Sequence, residues 1–182
     1  DPPANAPDPE AVEAFAEEVN QAIVACFYQT LDSDGRATQG ELTRRGMTFR
    51  DVAPQAVREL ANVEQLGGAR YTQWSIANGV MWLIAYTEAP ACRIMVAETR
   101  LAQASRDGIE RRVLESGLWT RDDAQSRTLE GIRRQIFFFS GEQSPSRLLL
   151  SITGGEEIER EGDGLQMMIS VAAVPREDAP GR

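Results

Sequence analysis

Histidine and lysine are both absent from this 182-residue chain, and its 19 basic residues are all arginine. Without histidine there is no Ser-His-Asp or Cys-His nucleophile and no histidine-ligated zinc or iron. Without lysine there is no Schiff-base chemistry and no Walker-type phosphate loop. Arginine in place of lysine, beside abundant alanine, also follows from a GC-rich genome, but the chemical exclusion holds for either cause. Long apolar runs are missing as well, and nothing approaches the roughly 18 residues that a membrane-crossing helix needs. The formal net charge of −9 argues against nucleic acid as a partner, because a phosphate backbone calls for a basic patch. Solubility, or a basic protein partner, suits that charge better.

What remains is ordinary for a globular protein, with 42% hydrophobic and 26% charged residues. The length suits one domain with a core of its own, expected over residues 9–174. The polar ends, 1–8 and 175–182, read as disordered tails. The chain opens Asp-Pro-Pro-Ala-Asn-Ala-Pro-Asp-Pro without methionine, like a tail exposed when a signal peptide or tag is removed. In an exported chain, the even pair Cys26 and Cys92 favours a disulfide, with two buried free thiols as the alternative.

Tyr71 to Val96 organises the rest. Asn78-Gly79 is a strong type I′ hairpin signal, and it predicts Ala77 opposite Val80, Trp74 opposite Leu83 and Tyr71 opposite Tyr86. Trp74, Ile76, Met81 and Leu83 then share one face, while Trp82, Ile84 and Tyr86 share the other with Gln73 and Ser75. A strand that is apolar on both sides belongs inside a sheet. Trp82, Ile84 and Tyr86 are therefore either a binding face or a second core covered by a helix.

Around this centre, Asp8-Pro9 caps a helix that runs to about Thr30 on the stripe Val12, Phe15, Val19, Ala22, Ile23 and Cys26. A second helix is expected after a cap at Thr48 to Asp51, ending at Gly67-Gly68. Cys92 to Ala97 reads as a strand and Ser105 to Ser116 as a helix stopped by Gly117. The polar stretch 120–131 has room for a short helix around Ala124 to Gly131. Gln135 to Phe139, Arg147 to Thr153 and Leu165 to Val174 form a closing meander. The order αα-βββ-α-βββ predicts an α+β fold, helices packed against a mostly antiparallel sheet of five or six strands.

One loop carries metal-binding chemistry. In Thr30 to Glu41, Asp32 and Asp34 take the third and fifth positions of a calcium loop, and Gly35 the sixth, where the chain bends. Arg36 supplies a carbonyl, Thr38 the ninth position and Glu41 the twelfth. Over these twelve residues the chain resembles the EF-hand family, which implies calcium on Asp32, Asp34, Arg36, Thr38 and Glu41. Thr30 stands where that family has aspartate, Ala37 where it has a bulkier apolar residue, and no second hand is present. The other reading is a plain helix-to-helix turn.

The acidic run from Glu156 to Asp163 joins two predicted strands and reads as a solvated hairpin loop. Its carboxylates could do acid-base work or bind metal if a cleft held them at a set separation, and the sequence supplies no opposing carboxylate. Arg111-Arg112 and Arg133-Arg134 are pairs able to grip a carboxylate or phosphate. The leading expectation is a non-catalytic, exported binding or accessory domain from a bacterial envelope, periplasmic or secreted. It would recognise a protein or small ligand through its sheet, with no catalytic residues and no cofactor. The alternatives are a calcium-binding structural module and a carboxylate-dependent hydrolase.

Overall fold

Helix α1 (Pro9–Leu31) starts where Asp8 accepts the Glu10 N–H at 3.2 Å, the cap expected from Asp8-Pro9. Its buried stripe of Phe15, Ala16, Val19, Ala22, Ile23 and Cys26 lies on a sheet that forms the centre of the molecule. The structure, a computed structural model, describes residues 6–31, 36–76, 79–97, 99–139, 146–155 and 165–175. After α1 come α2 (Arg36–Arg44), β1 (Thr48–Arg50), α3 (Gln55–Leu60), β2 (Ala69–Ile76), β3 (Gly79–Tyr86) and β4 (Ala91–Ala97). Then follow α4 (Leu101–Glu115), β5 (Trp119–Arg121), β6 (Arg127–Leu129), β7 (Ile132–Phe139), β8 (Ser146–Gly155) and β9 (Leu165–Pro175).

The class is α+β, but the described strands number nine rather than five or six. They form one sheet in the order β1-β2-β3-β4-β9-β8-β7-β5, with β6 also on β7, and every pairing is antiparallel. The two meanders join side by side through β4 and β9, where Ile94 sits opposite Ile169. The three extra strands, β1, β5 and β6, are each three residues long and lie at the margins. Such short strands blunt the long edges of β2 and β7 against pairing with other chains. The 122–126 turn between β5 and β6 closes the rest of that margin: Asp122 N–H donates to the Ile136 carbonyl, and Ile136 N–H to Ser126 Oγ.

Three local expectations are corrected. The second helix, expected to reach Gly67, is only α3. Asn62 takes φ 53°, its N–H bonds the Glu59 carbonyl and the Val63 N–H bonds the Arg58 carbonyl, which is a Schellman stop one turn after Leu60. Around Ala124 to Gly131 the chain makes β6 rather than a helix, turning into β7 through Glu130 and Gly131, both at positive φ. The hairpin register is displaced by two: Trp74 faces Met81 and Tyr71 faces Ile84. An even displacement leaves every side chain on its expected face.

Both faces of the β2–β4 half are covered. On the helix face, Met81, Leu83, Cys92, Ile94 and Val96 meet α1, and farther along Phe137, Leu150, Ile152, Met167 and Ile169 continue the same core toward α4. Burying side chains such as Phe137, Leu150 and Ile169, all fully inaccessible, stabilises the fold by roughly 1.5–3 kcal/mol each. Cys26 and Cys92 are bonded, with their Cα atoms 5.3 Å apart, tying α1 to β4.

Candidate functional site

The opposite face divides in two. Over β2, β3 and β4, Trp82, Ile84, Tyr86, Tyr71 and Met95 are buried beneath Ala53, Val57, Ala61, Val63 and Leu66. Trp82, Ile84 and Tyr86 thus lie in a second core, and Tyr86 donates its hydroxyl to the Ala61 carbonyl. Burial and the loss of hydration hold the Tyr86 phenol above its ordinary pKa. A ligand would have to displace the 53–66 segment to reach them.

Beyond that cover no described helix packs on the same face. In register, Arg93 on β4 lies opposite Ser170 on β9, and Ser170 opposite Ser151 on β8. Ala172 faces Leu149, and Leu149 faces Phe138 on β7. Met168 faces Thr153, and Thr153 faces Arg134. Arg134 in turn lies directly opposite Arg127 on β6. Met168, Ser170, Ala172, Leu149, Ser151, Thr153 and Phe138 are half-buried, Met168 against the second core; Ile136, opposite Ser151 on β7, is 3% exposed, and Arg127, Arg134 and Arg147 are exposed. Among the described residues of these four long strands, this face carries arginine and no carboxylate.

The arginines of the two faces are treated differently. On the helix face Arg106, Arg111, Arg112, Arg121 and Arg133 each have a carboxylate partner. On the open face none of Arg93, Arg127, Arg134 and Arg147 has one among the described residues. Two of them rest on rings instead: Arg147 lies 4.6 Å from the Phe138 centroid and Arg93 5.7 Å from that of Tyr86. Arg127 and Arg134 face each other as like charges, an arrangement that costs a few tenths of a kcal/mol or more. Arginines around a floor of serine, alanine, leucine and threonine, two of them over rings, can take carboxylates or other planar anions from a ligand.

A second charged cluster is internal. Arg106 and Glu110, 2% and 3% exposed, pair at 3.2 Å on α4. The Arg106 guanidinium also donates to the carbonyls of Ile152, Gly154 and Arg133. Glu110 accepts from Arg133 at 2.6 Å and from Arg121 at 3.4 Å. Burial lowers the Arg106 pKa, and the Glu110 carboxylate opposes that shift. The polar arms of Arg106 and Glu110 end on protein, while the buried Arg121 Nε has no hydrogen-bond partner among the described residues, and the cluster fastens α4 beneath β7 and β8.

The remaining sequence candidates are spread out. Asp32 and Asp34 lie outside the described residues, as does the run from Glu156 to Asp163. α2 begins at Arg36, so the backbone of Arg36 and Thr38 is already helical, and the Glu41 carboxylate pairs with Arg44 and Arg45 at 2.9 Å each. No three metal-ligating side chains gather among the described residues. A depression of about 180 Å³ between Gln55, Arg58, Glu59, Glu64 and Gln65 falls short of the roughly 300 Å³ at which ligand pockets begin. No described helix is long and apolar enough to cross a membrane. No protein family, curated protein or solved structure matches the chain.

Proposed function

We propose that this chain is a non-catalytic binding or accessory domain, exported from a bacterial cell to the periplasm or beyond, that holds its ligand on the open half of its sheet. The observation that carries this reading is the β4-β9-β8-β7 face, on which no described helix packs and whose arginines have no carboxylate partner among the described residues. The buried disulfide is compatible with an oxidising compartment. The absence of histidine and lysine leaves few nucleophiles or bases for a reaction.

Site-specific photo-crosslinking tests the reading in the bacterial envelope. A photoreactive side chain at Leu149, on the open face, is expected to give one discrete adduct. The same group at Glu18, on α1, is expected to give none. Equal labelling from both positions, or a saturable reaction abolished by changing one acidic residue, would overturn it.

A further inference from the structure

We infer that the open face binds an acidic, extended polypeptide segment whose carboxylates meet Arg93, Arg147 and the Arg127–Arg134 pair. The inference rests on the binding reading above and specifies its partner.

The charge argument comes first. The whole chain carries −9, yet the described strands of this face present arginines alone. Five arginines of the helix face find carboxylates within the fold, whereas these four find none among the described residues. Arg127 and Arg134 are set against each other by the β6–β7 register, and a carboxylate between them would turn that repulsion into a two-sided grip. A net charge says little about one face, because charges more than about 8 Å apart are largely screened at physiological salt.

Spacing decides the kind of anion. Counting about 4.8 Å between strands and about 3.4 Å per residue along them, the Cα atoms of Arg93, Arg134 and Arg147 stand roughly 16–21 Å apart. A small phosphate or dicarboxylate held by the Arg127–Arg134 pair leaves Arg93 and Arg147 unused, while an extended chain reaches all of these positions in about five or six residues. Between them lie Leu149, Phe138, Ala172, Ser151 and Ser170, which suit small or apolar side chains separating the carboxylates. Nucleic acid fits poorly, since its closely spaced phosphates call for a continuous basic stripe and Arg93, Arg134 and Arg147 stand roughly 16–21 Å apart. A flat lipid surface fits poorly too. The 53–66 segment rises beside the open floor as a further packed layer, about 10 Å high, and would meet a bilayer first.

The test uses the intact chain and a twelve-residue peptide alternating glutamate with leucine and serine, followed by fluorescence anisotropy. Its partners are the same peptide with glutamine for glutamate, and vesicles rich in anionic lipid. The Arg93→Gln/Arg134→Gln/Arg147→Gln variant is compared with Arg111→Gln on the helix face, both checked by thermal melting. The inference predicts binding of the glutamate peptide that weakens at least tenfold in the triple variant and is unchanged in Arg111→Gln. It predicts no more than a tenth of that affinity for the glutamine peptide. Equal binding of both peptides, indifference to the triple change, or stronger binding to the vesicles would overturn it. If the Leu149 crosslink forms while these results fail, the acidic partner is wrong and the binding face stands. If the crosslink also fails, both fall.

Discussion

Replacing Glu110 by glutamine removes one charge from the interior and almost no volume, so its effect isolates electrostatics from packing. In the native fold the Glu110 carboxylate is 3% exposed and accepts from Arg106, Arg121 and Arg133. Arg106 itself is 2% exposed and forms an ion pair with no other carboxylate among the described residues, Asp107 acting on it only from farther off. Glutamine leaves that guanidinium buried without its counter-charge and turns an amide N–H₂ toward cations that only donate. Breaking a buried pair in this way costs about 3–5 kcal/mol. For a chain of this size that is a fall in Tm of roughly 6–20 °C. Urea titration followed by circular dichroism reads the same change as a lower midpoint at constant slope. The Glu110→Gln/Arg106→Met double variant should be more stable than Glu110→Gln alone, because methionine removes the stranded charge. A loss below about 1 kcal/mol in Glu110→Gln, or simple additivity in the double variant, would refute the description of a buried and coupled pair.

Gly154→Ala probes the same place from the strand side. A Cβ there would stand 2.8 Å from the Gln166 carbonyl oxygen and 3.1 Å from an Arg106 guanidinium nitrogen, so thermal melting should show a loss of about 1–3 kcal/mol. Replacing both Cys26 and Cys92 by alanine frees a 66-residue separation in the unfolded chain and should cost about 4 kcal/mol by the loop-entropy relation, read from urea midpoints. Tyr86 is held protonated by burial, so its folded pKa lies above the unfolded value of about 10. Stability tied to it is intact below that pH and is lost as pH rises toward the folded pKa. Tyr86→Phe should cost about 1 kcal/mol at pH 8, from the lost bond to the Ala61 carbonyl, and should flatten the fall in Tm as pH rises past the unfolded value of about 10.

Periodic elements were legible in the chain because their signals are local. The α1 stripe with its Asp8 cap, the faces of β2 and β3 and the closing meander follow from spacing over a few residues, whereas the Cys26–Cys92 bond was one of two readings of an even cysteine count. The edge strands β1, β5 and β6 were not legible, since three residues carry no period and become strands only against a long neighbour. The hairpin register slipped by two because both registers place Met81 and Leu83 on the same core face, so burial cannot choose between them. The open face was hidden for a related reason. Arg93, Arg134 and Arg147 are far apart in sequence and share a face only through the β4–β9, β8–β9 and β7–β8 pairings, while Arg127 joins Arg134 through the β6–β7 hairpin. The Arg133-Arg134 doublet was visible, but alternation splits it: Arg133 turns inward to Glu110 and Arg134 outward.

The most direct measurement is an amide chemical-shift map of the isotope-labelled protein during titration with the alternating glutamate peptide. The account predicts that the largest shifts fall on Leu149, Ser151, Ser170, Ala172 and the residues flanking Arg134. The amides of α1 and of the covered core around Trp82 and Ile84 should stay still. Shifts centred on α1 or α4, or on Trp82 and Ile84 after release of the 53–66 segment, would contradict it.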